Sequence, residues 1–110
     1  SMYAIEEKRR VLEDGTEIVT YSRDIYNANV LEVEAGTTGY MGGDTGHGGR
    51  TYFRIKDAGS TDINARTITD KYRCSGFEVT LGGDCELETI IQALKFITKV
   101  LEDGANEVHG

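Results

Sequence analysis

Val30-Leu31-Glu32-Val33-Glu34-Ala35 and Thr51-Tyr52-Phe53-Arg54-Ile55-Lys56 alternate in side-chain character with a period of two, so each makes an extended segment with one apolar face and one charged face. Between them lies Gly39-Tyr40-Met41-Gly42-Gly43-Asp44-Thr45-Gly46-His47-Gly48-Gly49-Arg50, in which six of twelve residues are glycine. The pattern predicts a hairpin of residues 30–38 with 50–58 whose long tip is this loop. Glycine at that density costs chain entropy and leaves backbone amides open to close approach. Successive N–H groups can form a concavity for an anion, with donors from Thr45, His47 and Arg50 around the rim. The competing reading is a tip with no ligand role. The patterned strands on both sides, and the polar residues spaced between the glycines, favour ligand binding.

Working outward, residues 3–13 are strand-compatible and end at Asp14-Gly15, a two-residue hairpin signal, after which 16–23 resume a β pattern. Lys8-Arg9-Arg10, flanked by Glu6, Glu7 and Glu13, reads as a solvated strand face with cross-strand ion pairs. A phosphate contact from Arg9 or Arg10 is the alternative. Residues 24–29 read as a turn, 58–60 as another, 63–69 as a weaker strand, and Phe77, Val79 and Leu81 as one face of a stronger one. The sum is an antiparallel sheet of about six strands in a meander. Gly82-Gly83 stops the last strand and Asp84 caps a long helix that ends near Asp103, with Gly104 as its stop. The fold class is therefore α+β: one domain over residues 3–103, with 104–110 a disordered tail.

On a helical wheel Leu87, Ile90, Ile91, Leu94, Ile97 and Leu101 share the face that covers the sheet. Ala93, Phe96 and Val100 form a second stripe, and the combined apolar arc of roughly 220° is wider than one sheet contact needs. A second copy of the helix is the simplest partner, which predicts a homodimer or larger assembly.

The 110 residues are 38% hydrophobic, enough for one core and one domain. A formal net charge of −7 opposes DNA, RNA or an anionic membrane as partner, so any phosphate must meet a local cationic pocket. No apolar run approaches the ~20 residues of a membrane span, and the N-terminal residues lack signal-peptide character; a cytoplasmic protein is the expectation. Cys74 and Cys85 fall short of a disulfide framework or a zinc set. Three acidic residues, Asp84, Glu86 and Glu88, occupy the start of the helix, so an anion belongs elsewhere. Arg50 and Arg54 after the glycine loop make that loop the better place. The loop leads into a strand and lacks a Gly-Lys-Thr ending, which separates it from the phosphate loops of nucleotide hydrolases.

For catalysis only two histidines exist. His47 with Asp44 is half of a hydrolytic pair, with no serine in a nucleophile setting, and the two supply one ligand fewer than a usual catalytic metal set. A binder is favoured over an enzyme, with no catalytic residue, cofactor or metal. The ligand-binding candidates are Arg9, Gly42, Gly43, Thr45, Gly46, His47, Arg50, Tyr52, Arg54 and Phe77, the arginines and loop amides for phosphate and the aromatic residues for a base. A small phosphodiesterase using His47 and Asp44, and a module that docks a host factor through its helix, are the alternatives.

The run from Tyr40 to Ile55, followed by Gly82-Gly83-Asp84-Cys85-Glu86-Leu87-Glu88-Thr89 and the amphipathic helix, resembles the Thoeris anti-defence one family of phage sponge proteins. The resemblance covers most of residues 3–103. It implies an α+β domain that dimerises through helices and assembles further into a hexamer. It also implies binding of a nucleotide second messenger, the cyclic ADP-ribose isomer glycocyclic ADP-ribose, without cleavage, in the cytoplasm of an infected bacterium. Some members of that family also hold cyclic di- or trinucleotides at separate sites.

Overall fold

The computed structural model describes residues 4–41 and 48–109. The chain forms β1 (Glu6–Val11), β2 (Glu17–Tyr26), β3 (Val30–Thr37), β4 (Thr51–Gly59), β5 (Ile63–Asp70), β6 (Arg73–Leu81) and α1 (Asp84–His109). Strands β1 to β4 make one antiparallel sheet in chain order, and β5 and β6 make a separate two-stranded hairpin. The six antiparallel strands and the long C-terminal helix on the sheet are those expected. The expected single sheet is corrected to two. At the end of β4 Ser60 takes a left-handed φ of 58°, and the Thr61 hydroxyl donates to the Val30 carbonyl, so the chain leaves the sheet and returns as an arm.

Alternation along the register sorts the four-stranded sheet into two faces. Ile25, Leu31, Val33 and Ile55 point toward α1, where Ala93 completes the buried cluster with Phe96, Ile90 and Leu81 around it. The opposite face carries Lys8, Arg10, Arg54 and Lys56 among Glu6, Asp24, Glu32 and Glu34. At its centre Glu34 is fully buried and bound by Arg10, with Nη2 to Oε1 at 2.7 Å, while the Thr20 hydroxyl donates to Oε2 at 2.7 Å. The helix lies mainly over β3, which leaves the β1 and β2 side of the inner face open.

A buried polar latch fixes the helix N-terminal half. Asn29, 1% exposed, accepts from the Thr89 hydroxyl at 2.7 Å and donates through Nδ2 to Thr61 Oγ1 at 3.2 Å. That joins α1 to the β2–β3 and β4–β5 turns. A turn forms at Asp14-Gly15 as expected, with Gly15 at φ 87°, but Leu12 N–H donates to the Thr16 carbonyl at 2.8 Å, so three residues and not two make its tip; Asp24 to Tyr26 belong to β2 and not to the following turn.

Two expectations for the helix are corrected. It runs through Gly104 to His109; Gly104 sits against Thr37, where an added Cβ would strike the Thr37 methyl, so the glycine serves close helix–sheet approach and not a stop. The residues facing the sheet are Ala93 and Ile97, buried, with Ile90 and Phe96 beside them, whereas Leu87, Ile91 and Leu94 are 60%, 42% and 50% exposed. The small Ala93 side chain lets the helix settle on β3, and this rotates the larger leucines outward.

Candidate functional site

The neck of the glycine loop is closely tied. Thr38 N–H donates to the Arg50 carbonyl at 2.9 Å, Arg50 N–H donates to Thr38 Oγ1 at 2.9 Å, and Gly39 N–H donates to Thr37 Oγ1 at 3.0 Å. Gly39 is buried with φ 76°, and any Cβ at Gly49 would run into the Gly39 carbonyl oxygen. Glycine at 39 and 49 is thus what allows the two backbones to pass so closely. Gly42, Gly43, Thr45, Gly46 and His47, with Asp44, lie outside the described residues.

Arg50 leaves the neck and reaches the first turn, where its Nε donates to Asp14 Oδ2 at 2.6 Å. That bond, with the Thr16 amide, holds the Asp14 carboxyl well below the usual carboxylate range. Arg54 sits on the face away from the helix and binds Glu32 at 2.5 Å, which lowers the Glu32 carboxyl. Tyr52 is on the same face under the Arg10 guanidinium, 5.4 Å from ring centroid to Cζ. The Arg10–Glu34 bond depresses the Glu34 carboxyl against the opposing cost of burial, and raises the Arg10 guanidinium further above its ordinary range. Arg9 lies on the helix-side face at the sheet edge, 3.5 Å from Glu17. Phe77 belongs to the arm and meets Phe53 with ring centroids 5.8 Å apart.

The structure therefore brings Tyr52 and Arg54 together and separates Phe77 and Arg9 from them by the thickness of the sheet. Each of Arg9, Arg50 and Arg54 already faces a carboxylate. An anion meeting Arg50 or Arg54 has to displace or share Asp14 or Glu32.

A second concavity was not visible in the sequence reading. A groove of about 710 Å³ runs between α1 and the open side of the sheet, walled by Tyr21 and Arg23 of β2 and by Lys95, Phe96, Lys99 and Asp103 of the helix. The Arg23 guanidinium stands 5.9 Å from the Phe96 ring centroid, and its Nε is buried with no hydrogen-bond partner. Lys99 Nζ bonds Asp103 at 2.9 Å on the outer rim. A signal for this groove exists in the chain: the inner-face residues of β2 are Val19, Tyr21, Arg23 and Ile25, a mostly apolar row interrupted by one guanidinium.

No family model, curated protein or solved structure matches this chain. Among the described residues no group of three or more His, Cys, Asp or Glu side chains is placed to hold a metal ion, and no helix is long and apolar enough to cross a membrane.

Proposed function

We propose that the chain captures a nucleotide-derived second messenger and holds it intact, which is the activity implied by its resemblance to the anti-Thoeris sponges. The observation that carries the reading is the neck of the β3–β4 loop. Three hydrogen bonds and a backbone contact that admits only glycine tie residues 37–39 to residues 49–50. A neck tied before binding lowers the ordering cost that capture has to meet. Tyr52 and Arg54 stand on the strand that leaves it. The first messenger to try is glycocyclic ADP-ribose, followed by cyclic di- and trinucleotides.

Sequestration works by mass action, so the affinity has to exceed that of the host receptor; nanomolar binding corresponds to ~12 kcal/mol. Release of the same molecule on denaturation separates this reading from a phosphodiesterase acting through His47 and Asp44. The setting proposed is the cytoplasm of an infected bacterium, where such a messenger is made.

The proposed protein partner is a second copy, with further assembly into a hexamer. Leu87, Ile91 and Leu94 form an exposed row on α1, and Phe77 at 59% and Val79 at 40% add an exposed apolar face on the arm. Covering them with the same surfaces of another protomer gives a closed, two-fold contact. The same exposed row favours, as a second reading, docking of a host protein.

The test replaces Gly43 and Gly46 with valine and Arg50 with alanine. Circular dichroism and the sedimentation profile should be unchanged while messenger uptake is lost. Undiminished uptake by the folded triple variant contradicts the loop as the site.

A further inference from the structure

We propose that the groove between α1 and β2 is a small-molecule site in its own right, separate from the glycine loop, and that it takes a ring-bearing monoanion or dianion of the nucleoside monophosphate class. Its volume of about 710 Å³ falls within the range of ordinary ligand pockets, and its walls combine apolar surface with a few polar groups as such pockets do.

Three cations, Arg23, Lys95 and Lys99, line it against two carboxylates, Asp24 and Asp103. This local excess of positive charge occurs in a chain whose formal net charge is −7. Asp103 is moreover engaged at the rim by Lys99. The Arg23 Nε–H is the decisive group. A buried donor without an acceptor is costly, and such groups in folded proteins normally find one. A purely apolar occupant would leave that donor unsatisfied, whereas a phosphate or carboxylate oxygen satisfies it with a charge-assisted bond.

The ring requirement comes from Tyr21 and Phe96. Phe96 already stacks beneath the Arg23 guanidinium, and Tyr21 lies two residues along the same strand face. An aromatic ring seated beside them is stabilised by stacking while its anionic group reaches Arg23 and the lysines. The contrast with the loop arginines lies in Arg23: its buried Nε has no partner, whereas Arg50 and Arg54 each contact a carboxylate, as Lys99 does at the groove rim.

The inference rests on the proposed function only in preferring a nucleotide to other ring-bearing anions. The experiment is a titration of the 15N-labelled full chain with AMP, followed through backbone amide shifts, with adenosine and inorganic phosphate as separate probes. AMP should shift the amides of Arg23 and of residues 92–99 in a saturable way, and each half of the molecule alone should bind at least tenfold more weakly, roughly the worth of one charged hydrogen bond. Lys95→Glu with Lys99→Glu, at exposed helix positions that leave the fold intact, should weaken AMP by about tenfold or more. Arg66→Ala on the arm should leave it unchanged.

Three results overturn the site: shifts confined to residues 38–54, no saturable shift at millimolar AMP, or wild-type affinity in the double lysine variant. Messenger capture in the presence of any of these leaves the proposed function standing without the groove. Groove shifts with AMP and no capture of any cyclic messenger remove the function and keep the site.

Discussion

The four-stranded sheet and the β5–β6 arm are written in the same alternating code and end in opposite surroundings. In the sheet, Leu31, Val33, Ala35 and even Glu34 are fully buried. In the arm every residue of β5 after Ile63 is exposed, and Phe77, the counterpart of a core residue by pattern, keeps 59% of its surface in solvent. Alternation specifies a strand and its two faces. Burial requires covering atoms, which α1 supplies to Leu31 and Val33 and the Arg10 and Thr20 side chains supply to Glu34, while the exposed arm lacks them. A two-stranded ribbon is marginal by itself, and its link to the remainder through Phe53 and Phe77 is the contact that the comparison turns on.

The largest expected effect breaks the sheet and spares the arm. Arg10→Met leaves the Glu34 carboxylate buried and unpaired, at a cost of about 3 kcal/mol, the lower end for a broken buried pair because Arg10 is itself partly exposed. Arg66→Met removes the exposed Arg66–Glu78 pair of the arm and should cost no more than about 0.5 kcal/mol. Urea denaturation of the two variants measures the contrast. Equal losses would show that the arm is as integral as the sheet.

Next comes the latch. Asn29→Ala strips acceptor and donor from Thr89 and Thr61 inside the fold and should lower stability by about 1–3 kcal/mol, read from the same denaturation midpoint. The third test is acid. Glu34, Glu32 and Asp14 are all held below their unfolded values by arginine, so the stability they contribute is complete above the ordinary carboxylate pKa near ~4. It is lost as pH falls from there toward the depressed folded values, where the unfolded chain binds more protons. Thermal unfolding from pH 6 downward should therefore show falling midpoints below about pH 4.5. In Arg10→Met the fall should be shallower, since Glu34 no longer has its partner.

A small effect is also expected in an isolated chain from Phe77→Ala, about 1 kcal/mol or less for a side chain so exposed. The same substitution becomes the most informative if a second copy covers the arm, because the unfolding midpoint then depends on protein concentration in the wild type. Loss of that dependence in Phe77→Ala places the arm in the assembly contact. A concentration-independent wild type rules that contact out.

Much of this architecture was legible in the chain. The period-two runs on either side of the glycine loop give β3 and β4 in their observed pairing, Asp14-Gly15 gives the first hairpin, and Asp84 opens the helix. Three things were not. A wheel ranks faces by how apolar they are, and α1 settles on the face where Ala93 permits the closest approach, so Leu87 and Leu94 turn outward. Gly104 looks like a terminator in one dimension and is a contact point with Thr37 in three. The detachment of the arm depends on the left-handed Ser60 and the Thr61 bond to Val30, neither of which leaves a periodic trace.

The candidate site was less legible than the fold. Arginines chosen for their proximity to the loop turn out to be held by Asp14 and Glu32, which are distant in sequence. Arg23 sits within an apolar row that gives it no periodic signal of its own, although its Nε is the buried donor without a partner.

The most direct measurement of the central claim is equilibrium dialysis of the purified chain against glycocyclic ADP-ribose, with the bound fraction then released by heat and identified by mass spectrometry. The account predicts near-stoichiometric retention and recovery of the unaltered molecule. Recovery of a linear or otherwise altered product, or retention no greater than in buffer alone, would contradict it.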